Sequence, residues 1–564
     1  MHPNESFANC LAPLLELPAA DILAMIETPP NPEMGDAALP CFPFARTLRK
    51  APPAIAAQLA EQIGEVPGIA RIEVVGGYLN AFWDPAAFVA DVLEQVATGS
   101  FGTSTEGEGK TIVMDYSSIN IAKRFHIGHL STTLIGSVLS RVYRQLGYTT
   151  VRVNHLGDWG TQFGKMIAAF LRWGDEARLA ERGIEELTEL YQRFYQEEQT
   201  DEALAAEGRE WFRRMEEGDS QALDIFNRFK EMTLRDAEKI YEKLNVQFDS
   251  YAGESFYSDK MQPVIDHLRN KGLLVQSEGA WVVDLEAEKM PPCLILKSDG
   301  ATLYTTRDLA AALYRANTYH ADRILYIVAY HQDLHFRQWF TVAKKAGWDW
   351  ADNLEHVAYG MVSYEGQALS TRKGTMVLLE EVLERAVQKA ADVLDEKNPN
   401  LQDKANVARQ VGIGAVIVST LLNNRIKDID FTWDRALNFD GETGPYLQYT
   451  AVRCQSLLRK GSFVPGDANV FDANELTDAL AFAAAKQLSL YPDILREVIA
   501  RNEPYLLTRY LLGLAQAFNA FYYANRILDA TPAARAARLA LANAVLSVLT
   551  DGLGLLGVEV PDAM

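Results

Sequence analysis

The apolar positions change their period along the chain, and the changes mark out elements. "TIVMDYS" (111–117) is a short, continuously apolar run, the pattern of a strand buried on both faces of a parallel sheet. In "GHLSTTLIGSVLSRVYRQLGY" the apolar residues recur at helical intervals up to Gly147. "TTVRVNHLGDWG" predicts the next strand. "CLILKSDGATLYTTRDLAAALYRANTY" (293–319) reads as a hairpin-like stretch, and "RILYIVAYHQD" (323–333) as another strand. This alternation predicts an α/β domain with a Rossmann-type parallel sheet over residues 106–400. Residues 165–245 have helical spacing and an acidic polar face, so a solvated helical insertion is expected there.

The flanks differ. Residues 1–105 predict a small α+β domain: a Pro/Gly loop, a helix, and two strands in "IARIEVVGGYLNAFWD" around a Gly-Gly turn. "TGSFGTSTEGEGK" (98–110) has the composition of a linker. Beyond about residue 400 the strand patterns stop. "NVARQVGIGAVIVSTLLNNR", "GPYLQYTAVRCQSLLRK" and "PYLLTRYLLGLAQAFNAFYYANRIL" predict an all-α domain over 401–564.

Composition narrows the class without naming it. At 564 residues the chain exceeds a single core, and 48% hydrophobic with 23% charged residues is ordinary for a soluble protein. A net charge of −21 argues against a non-specific DNA binder and requires any RNA contact to use local basic patches. Cys10, Cys41, Cys293 and Cys454 are widely spaced, so neither a zinc ribbon nor a disulfide framework is expected, and a reducing cytoplasm fits. "MHPNESFANCLAPLLEL" lacks the basic and apolar segments of a signal peptide. The apolar window 411–422 is too short to cross a bilayer, and no membrane partner is expected.

Candidate chemistry concentrates where the first strand hands over to a helix. The chain has 9 histidines, and "FHIGHL" (125–130) places His126 and His129 three residues apart around Gly128. The carboxyl ends of parallel strands and the N-termini of helices gather anions. Glycine lets a phosphate approach the backbone, and two imidazoles on one face can donate to it. Such donors would hold charge building on a phosphate during in-line attack. No carboxylate or cysteine stands at metal-ligand spacing beside them. Walker-type loops fail at "GEGKT", where Ser104 replaces the first glycine, and at "FGKM", where Met166 replaces the magnesium-binding hydroxyl.

"FHIGHL" is similar to the HIGH signature of class I aminoacyl-tRNA synthetases. The flanking "SSINIAKRFHIGHLSTTLIG", "YTTRDLAAALYR", "HVAYGMVSYEGQALSTRKGTMV" and "GPYLQYTAVRCQSLLRK" resemble arginyl-tRNA synthetases, with the resemblance spanning essentially the whole chain. Two prolines usual in the family's signature loop are replaced by Ile119 and Arg124, so a less stiff loop with an extra cation is expected. In the second signature, "ALSTRKG" (368–374), Ala368 and Thr371 stand where lysines are usual. Ser370, Arg372 and Lys373, with Lys123 as partial compensation, are then the candidates for the pyrophosphate.

The resemblance also implies the substrates and their contacts. A guanidinium needs carboxylate and amide oxygens in a plane. Asp308 suits it, with Tyr304 four residues earlier on the same helical side, and the resemblance adds Gln332. It gives Asp115 and Asn120 the amino acid's α-amino and carboxylate ends, with Asp115 in place of the family's frequent glutamate. ATP would meet His126, Gly128 and His129, and the adenine edge would be read by backbone groups of Met361 and Val362. The N-terminal domain would touch the tRNA elbow and the helical C-terminal domain the anticodon. Arg46, Arg49 and Lys50, and Arg453, Arg459 and Lys460, are candidate phosphate contacts. The expectation is therefore a monomeric cytoplasmic enzyme joining L-arginine to tRNA-Arg with ATP, Mg2+ arriving with the nucleotide, and activation dependent on bound tRNA. The rival readings are a class I enzyme for another amino acid and a non-catalytic tRNA-binding paralogue.

Overall fold

A computed structural model describes residues 2–364, 366–368, 377–432, 441–464 and 470–564. By internal contacts the chain forms two compact units. One comprises residues 1–101, 453–491 and 513–549; the other comprises 102–452, 492–512 and 550–564.

The larger unit is built on a four-stranded parallel sheet. Its order is Leu354–His356, Arg323–Tyr326, Thr111–Asp115, Thr149–Val153. Ile112, Val113 and Met114 in a central strand are at most 1% exposed, which explains their unbroken apolar run. The helix Leu130–Gln145 follows this strand after a loop, as its periodicity predicts. Five helices between Thr161 and Lys243 form the insertion, packed through aromatic contacts such as Phe163–Phe226 and Phe170–Phe229. Their charged faces are laced by ion pairs, and a deeply buried acid there, Glu186, is held by Arg178 and Arg182 at 2.9 and 3.0 Å.

Several elements carry no sequence signal. Leu274–Ser277, Ala280–Val283 and Cys293–Leu296 make an antiparallel sheet, of which only the last strand falls in a stretch that reads as a hairpin. Strands also do not end near residue 400: Ile429–Phe431 pairs in parallel with Val362–Tyr364. Three residues are too few for periodicity, and the strand exists because a partner edge is available. The stretch 98–110 is not a free linker throughout, since Ser104 and Gly107 amides donate to the carbonyls of Gln145 and Leu146 at 3.2 and 3.0 Å.

In the smaller unit, Ile69–Val75 and Tyr78–Trp83 pair antiparallel as expected, and an additional strand, Ala37–Pro40, lies on the other side of Tyr78–Trp83. Phe482 packs on Trp83 and Phe88, and Lys486 pairs with Asp36 at 3.0 Å, so C-terminal helical residues share this unit with the N-terminal segment. The 401–564 range is thus divided between the two units. The helix Pro532–Leu556 is long and apolar enough to cross a membrane, with mean hydropathy 1.7 in its most apolar window, but 67% of that window is buried in the protein. Core packing accounts for that burial.

Candidate active site

The strand Thr111–Asp115 delivers Asp115, 5% exposed, to the carboxyl edge of the sheet. The loop after it is tightly held. Ser117, Ser118 and Ala122 all have positive φ (70, 46 and 58°), an unfavourable state for residues with a Cβ. Side-chain hydrogen bonds compensate. Thr132 Oγ1 accepts from the Ser117 amide at 3.1 Å, Ser117 Oγ meets the Tyr241 hydroxyl at 2.8 Å, and Thr233 Oγ1 accepts from the Ala122 amide at 2.9 Å. These bonds hold the loop without the prolines that Ile119 and Arg124 replace. Arg124 lies 3.9 Å from Glu185 at the surface, a weak pair, with its charge directed to the insertion.

The histidines meet as the motif predicts, and their backbone bonds settle which nitrogen carries the proton. His126 Nδ1 accepts the Gly128 amide at 3.1 Å, and His129 Nδ1 accepts the His126 amide at 3.3 Å. The ring centroids are 3.9 Å apart. Burial, with Lys123 nearby, pushes His126 down to about 4. Burial and the adjacent His126 push His129 down to about 3. Both rings are therefore neutral at physiological pH and present Nε2–H as donors. Lys123 is exposed on the same loop.

The chain returns to this turn from far along the sequence. Ile127 donates to the Val377 carbonyl at 3.0 Å, and Leu379 to that of Phe125 at 3.1 Å. Ser370, Arg372 and Lys373 lie outside the described residues. The Met361 amide donates to Asp428 Oδ1 at 2.7 Å and its carbonyl accepts from Ile429 at 2.8 Å. The pairing of Val362 with Ile429 brings the Ile429 amide to that carbonyl, which keeps a second lone pair. Val362 itself is buried in that pairing, 8% exposed.

Tyr304 and Asp308 lie in the first two turns of the helix Tyr304–Tyr319. They converge on one ring. His335 Nε2 is 2.7 Å from Asp308 Oδ2, and its centroid is 4.8 Å from that of Tyr304. Tyr304 is 61% exposed. Gln332 is exposed at the end of the turn Tyr330–Gln332, three residues before His335. Asn120 is seated against Gly157: the backbones exchange bonds between Ile119, Ile121 and Gly157 at 2.9 and 3.1 Å, and a Cβ on Gly157 would lie 2.2 Å from Asn120 Oδ1.

Asp115 is already paired. Arg315 lies 2.8 Å from its Oδ2, the two side chains being 1% and 7% exposed, and Ser118 Oγ donates to Oδ1 at 2.8 Å. Burial disfavours the Arg315 charge, but Asp115 outweighs it and raises the guanidinium well above its usual range. Sequence reasoning missed Arg315 and His335. Arg315 follows Asp308 by seven residues on the same helix, so its shared face was the available signal. Nearby, burial with Asp308 and Asp158 pushes Glu254 up to about 7 against its partner Arg307, 3.2 Å away. Among the described residues no group of three His, Cys, Asp or Glu side chains could hold a metal ion.

A parallel sheet whose first strand leads through a held loop into paired neutral imidazoles is the catalytic frame of a class I aminoacyl-tRNA synthetase, and residues 90–433 match the family described as "tRNA synthetases class I (R), catalytic domain". Residues 2–83 match the arginyl-tRNA synthetase N-terminal domain, and residues 447–564 the DALR anticodon-binding domain. The chain is 46% identical to an arginine–tRNA ligase of Alkaliphilus metalliredigens over 96% of both chains, and 45% identical to that of Clostridioides difficile over 99% of both. The Thermus thermophilus arginyl-tRNA synthetase shares the fold, with a TM-score of 0.81 at 24% identity over 100% of this chain and 99% of that one. The chain belongs to the arginyl-tRNA synthetase family.

Proposed function

We propose that the protein activates L-arginine with ATP and transfers it to the 3′ end of tRNA-Arg. The carboxylate of arginine attacks the α-phosphorus, pyrophosphate leaves, and the terminal ribose hydroxyl of the tRNA then takes the arginyl group from the adenylate. No protein nucleophile is needed; alignment and charge stabilisation supply the acceleration. His126 and His129 serve the α-phosphate through their Nε2–H groups, with Gly128 giving access to the backbone. Lys123, Ser370, Arg372 and Lys373 serve the pyrophosphate. Asp308, with Tyr304 and Gln332, takes the guanidinium, while Asp115 and Asn120 take the α-amino and carboxylate ends. Backbone groups of Met361 and Val362 are the candidates for the adenine edge. Mg2+ comes bound to ATP, whose phosphates supply the oxygen ligands the cation prefers. The enzyme works as a cytoplasmic monomer with no DNA or membrane partner.

The observation that carries this reading is the pairing of neutral imidazole donors at one motif with a partly exposed carboxylate, Asp308, at another. It is tested by charging tRNA with arginine and with its neutral isostere citrulline. Asp308→Ala should cost arginine far more than citrulline. Equal losses refute the assignment. The non-catalytic reading requires tRNA binding without charging, and the presence of His126, His129, Asp115 and Asp308 speaks against it.

A further inference from the structure

We propose that His335 is a positioning residue that determines specificity for a cationic side chain: it holds the Asp308 carboxylate in place through one oxygen and leaves the other for the substrate. The inference rests on the reading that Asp308 receives the guanidinium.

Two carboxylates serve this region, and the protein treats them differently. Both lie within electrostatic reach of His155 and Tyr326, so they flank one locality. Asp115 is matched at 2.8 Å by a full cation, Arg315, in a setting almost without solvent. Its charge is balanced inside the protein, which leaves it a hydrogen-bond acceptor for the α-amino group. Asp308 is matched at 2.7 Å by an imidazole from a different helix, Asp333–Ala346, and its side chain remains 28% exposed. The imidazole engages one carboxylate oxygen and leaves the second. Asp308 therefore stays a partly exposed carboxylate, whereas the Asp115 charge is balanced by a buried arginine. The substrate's guanidinium is drawn to the partly exposed one.

The geometry also fixes orientation. A carboxylate is free to turn about its last bond, and forked recognition of a guanidinium requires its plane to be set beforehand. The His335 bond to Oδ2 supplies that restraint. The imidazole is in turn placed edge-on to Tyr304 (4.8 Å, 63°) and to Phe336 (5.6 Å, 64°), and Phe336 is 5% exposed in the core. With Oδ2 engaged, the direction of Oδ1 is set as well. Glu254, another carboxylate within reach of Asp308, is 3.2 Å from Arg307, which offsets its charge.

The test is tRNA charging by the full chain, with KM for arginine and for ATP and kcat measured for His335→Leu, His335→Gln and His335→Arg, and Asp308→Asn as the reference. Loss of a hydrogen bond to a charged group predicts that His335→Leu raises the arginine KM about tenfold or more, with the ATP KM unchanged. His335→Gln can restore the donor without charge and should stay within about threefold of the parent. His335→Arg restores a donor but brings a competing cation, and should lose arginine at least as severely as His335→Leu. Unchanged arginine KM in the Leu and Arg variants, with Asp308→Asn impaired, overturns the inference alone. An unimpaired Asp308→Asn overturns the underlying reading of the site. If His335→Leu proves unstable, the Gln and Arg variants decide, and equal arginine KM values for the two contradict the proposal.

Discussion

Arg315→Met should be among the more damaging single changes in the larger unit. The ion pair with Asp115 is 2.8 Å long, with side chains 1% and 7% exposed, so water screens it little. Methionine fills much of the arginine stem's volume, which keeps the cavity contribution small. What remains is a buried carboxylate that keeps the Ser118 hydroxyl bond but has no cation. Breaking such a pair from one side costs about 3–5 kcal/mol. A surface pair of the same length provides the comparison: Lys344 and Asp352 are also 2.8 Å apart, but 56% and 83% exposed. Exposed pairs are worth about 0–1 kcal/mol, so Lys344→Met should be nearly silent. Urea unfolding followed by near-UV circular dichroism measures both. Asp115→Asn combined with Arg315→Met removes the orphaned charge and should recover much of the loss, while still impairing arginine binding. If Arg315→Met unfolds at the same urea concentration as Lys344→Met, or the double variant is no more stable than the single one, the assignment of the penalty to an unpaired Asp115 is wrong.

The depressed basicity of His126 and His129, about 4 and about 3, means that neither ring titrates between pH 6 and 8, so kcat/KM should show no limb from them there. The sign for stability follows: an unfolded histidine takes a proton near pH 6.5 while the folded rings refuse it, so stability falls as pH drops from about 6.5 toward 4. His126→Asn with His129→Asn should flatten the melting-temperature profile over that window, and an unchanged slope would count against the burial argument. Gly157→Ala places a Cβ 2.2 Å from Asn120 Oδ1, and the displaced amide should raise the arginine KM several-fold while the ATP KM holds. An unaltered arginine KM would remove Asn120 from the site. Pyrophosphate exchange should require tRNA; equal rates with and without it would contradict that dependence.

Much of this protein is written locally in its sequence. The buried strand Thr111–Asp115, the helix Leu130–Gln145, the imidazole pair and the Tyr304–Asp308 spacing follow from period, turn chemistry and residue type within a few positions. Those signals place functional groups on elements. They do not choose partners. His335 lies 27 positions from Asp308, Asp115 lies 200 from Arg315, and Asp428 lies 67 from Met361. The Ile429–Phe431 strand and the division of 401–564 between two units have the same origin, because each depends on which edge or face remains available once distant segments pack. Backbone stereochemistry and hydrophobic periodicity act over one or two turns, and a sequence displays them directly. Pairing of charges and edges is decided only when water is expelled from between distant segments, because desolvation penalises every group left without a partner. That step settled which of the two carboxylates stayed partly exposed.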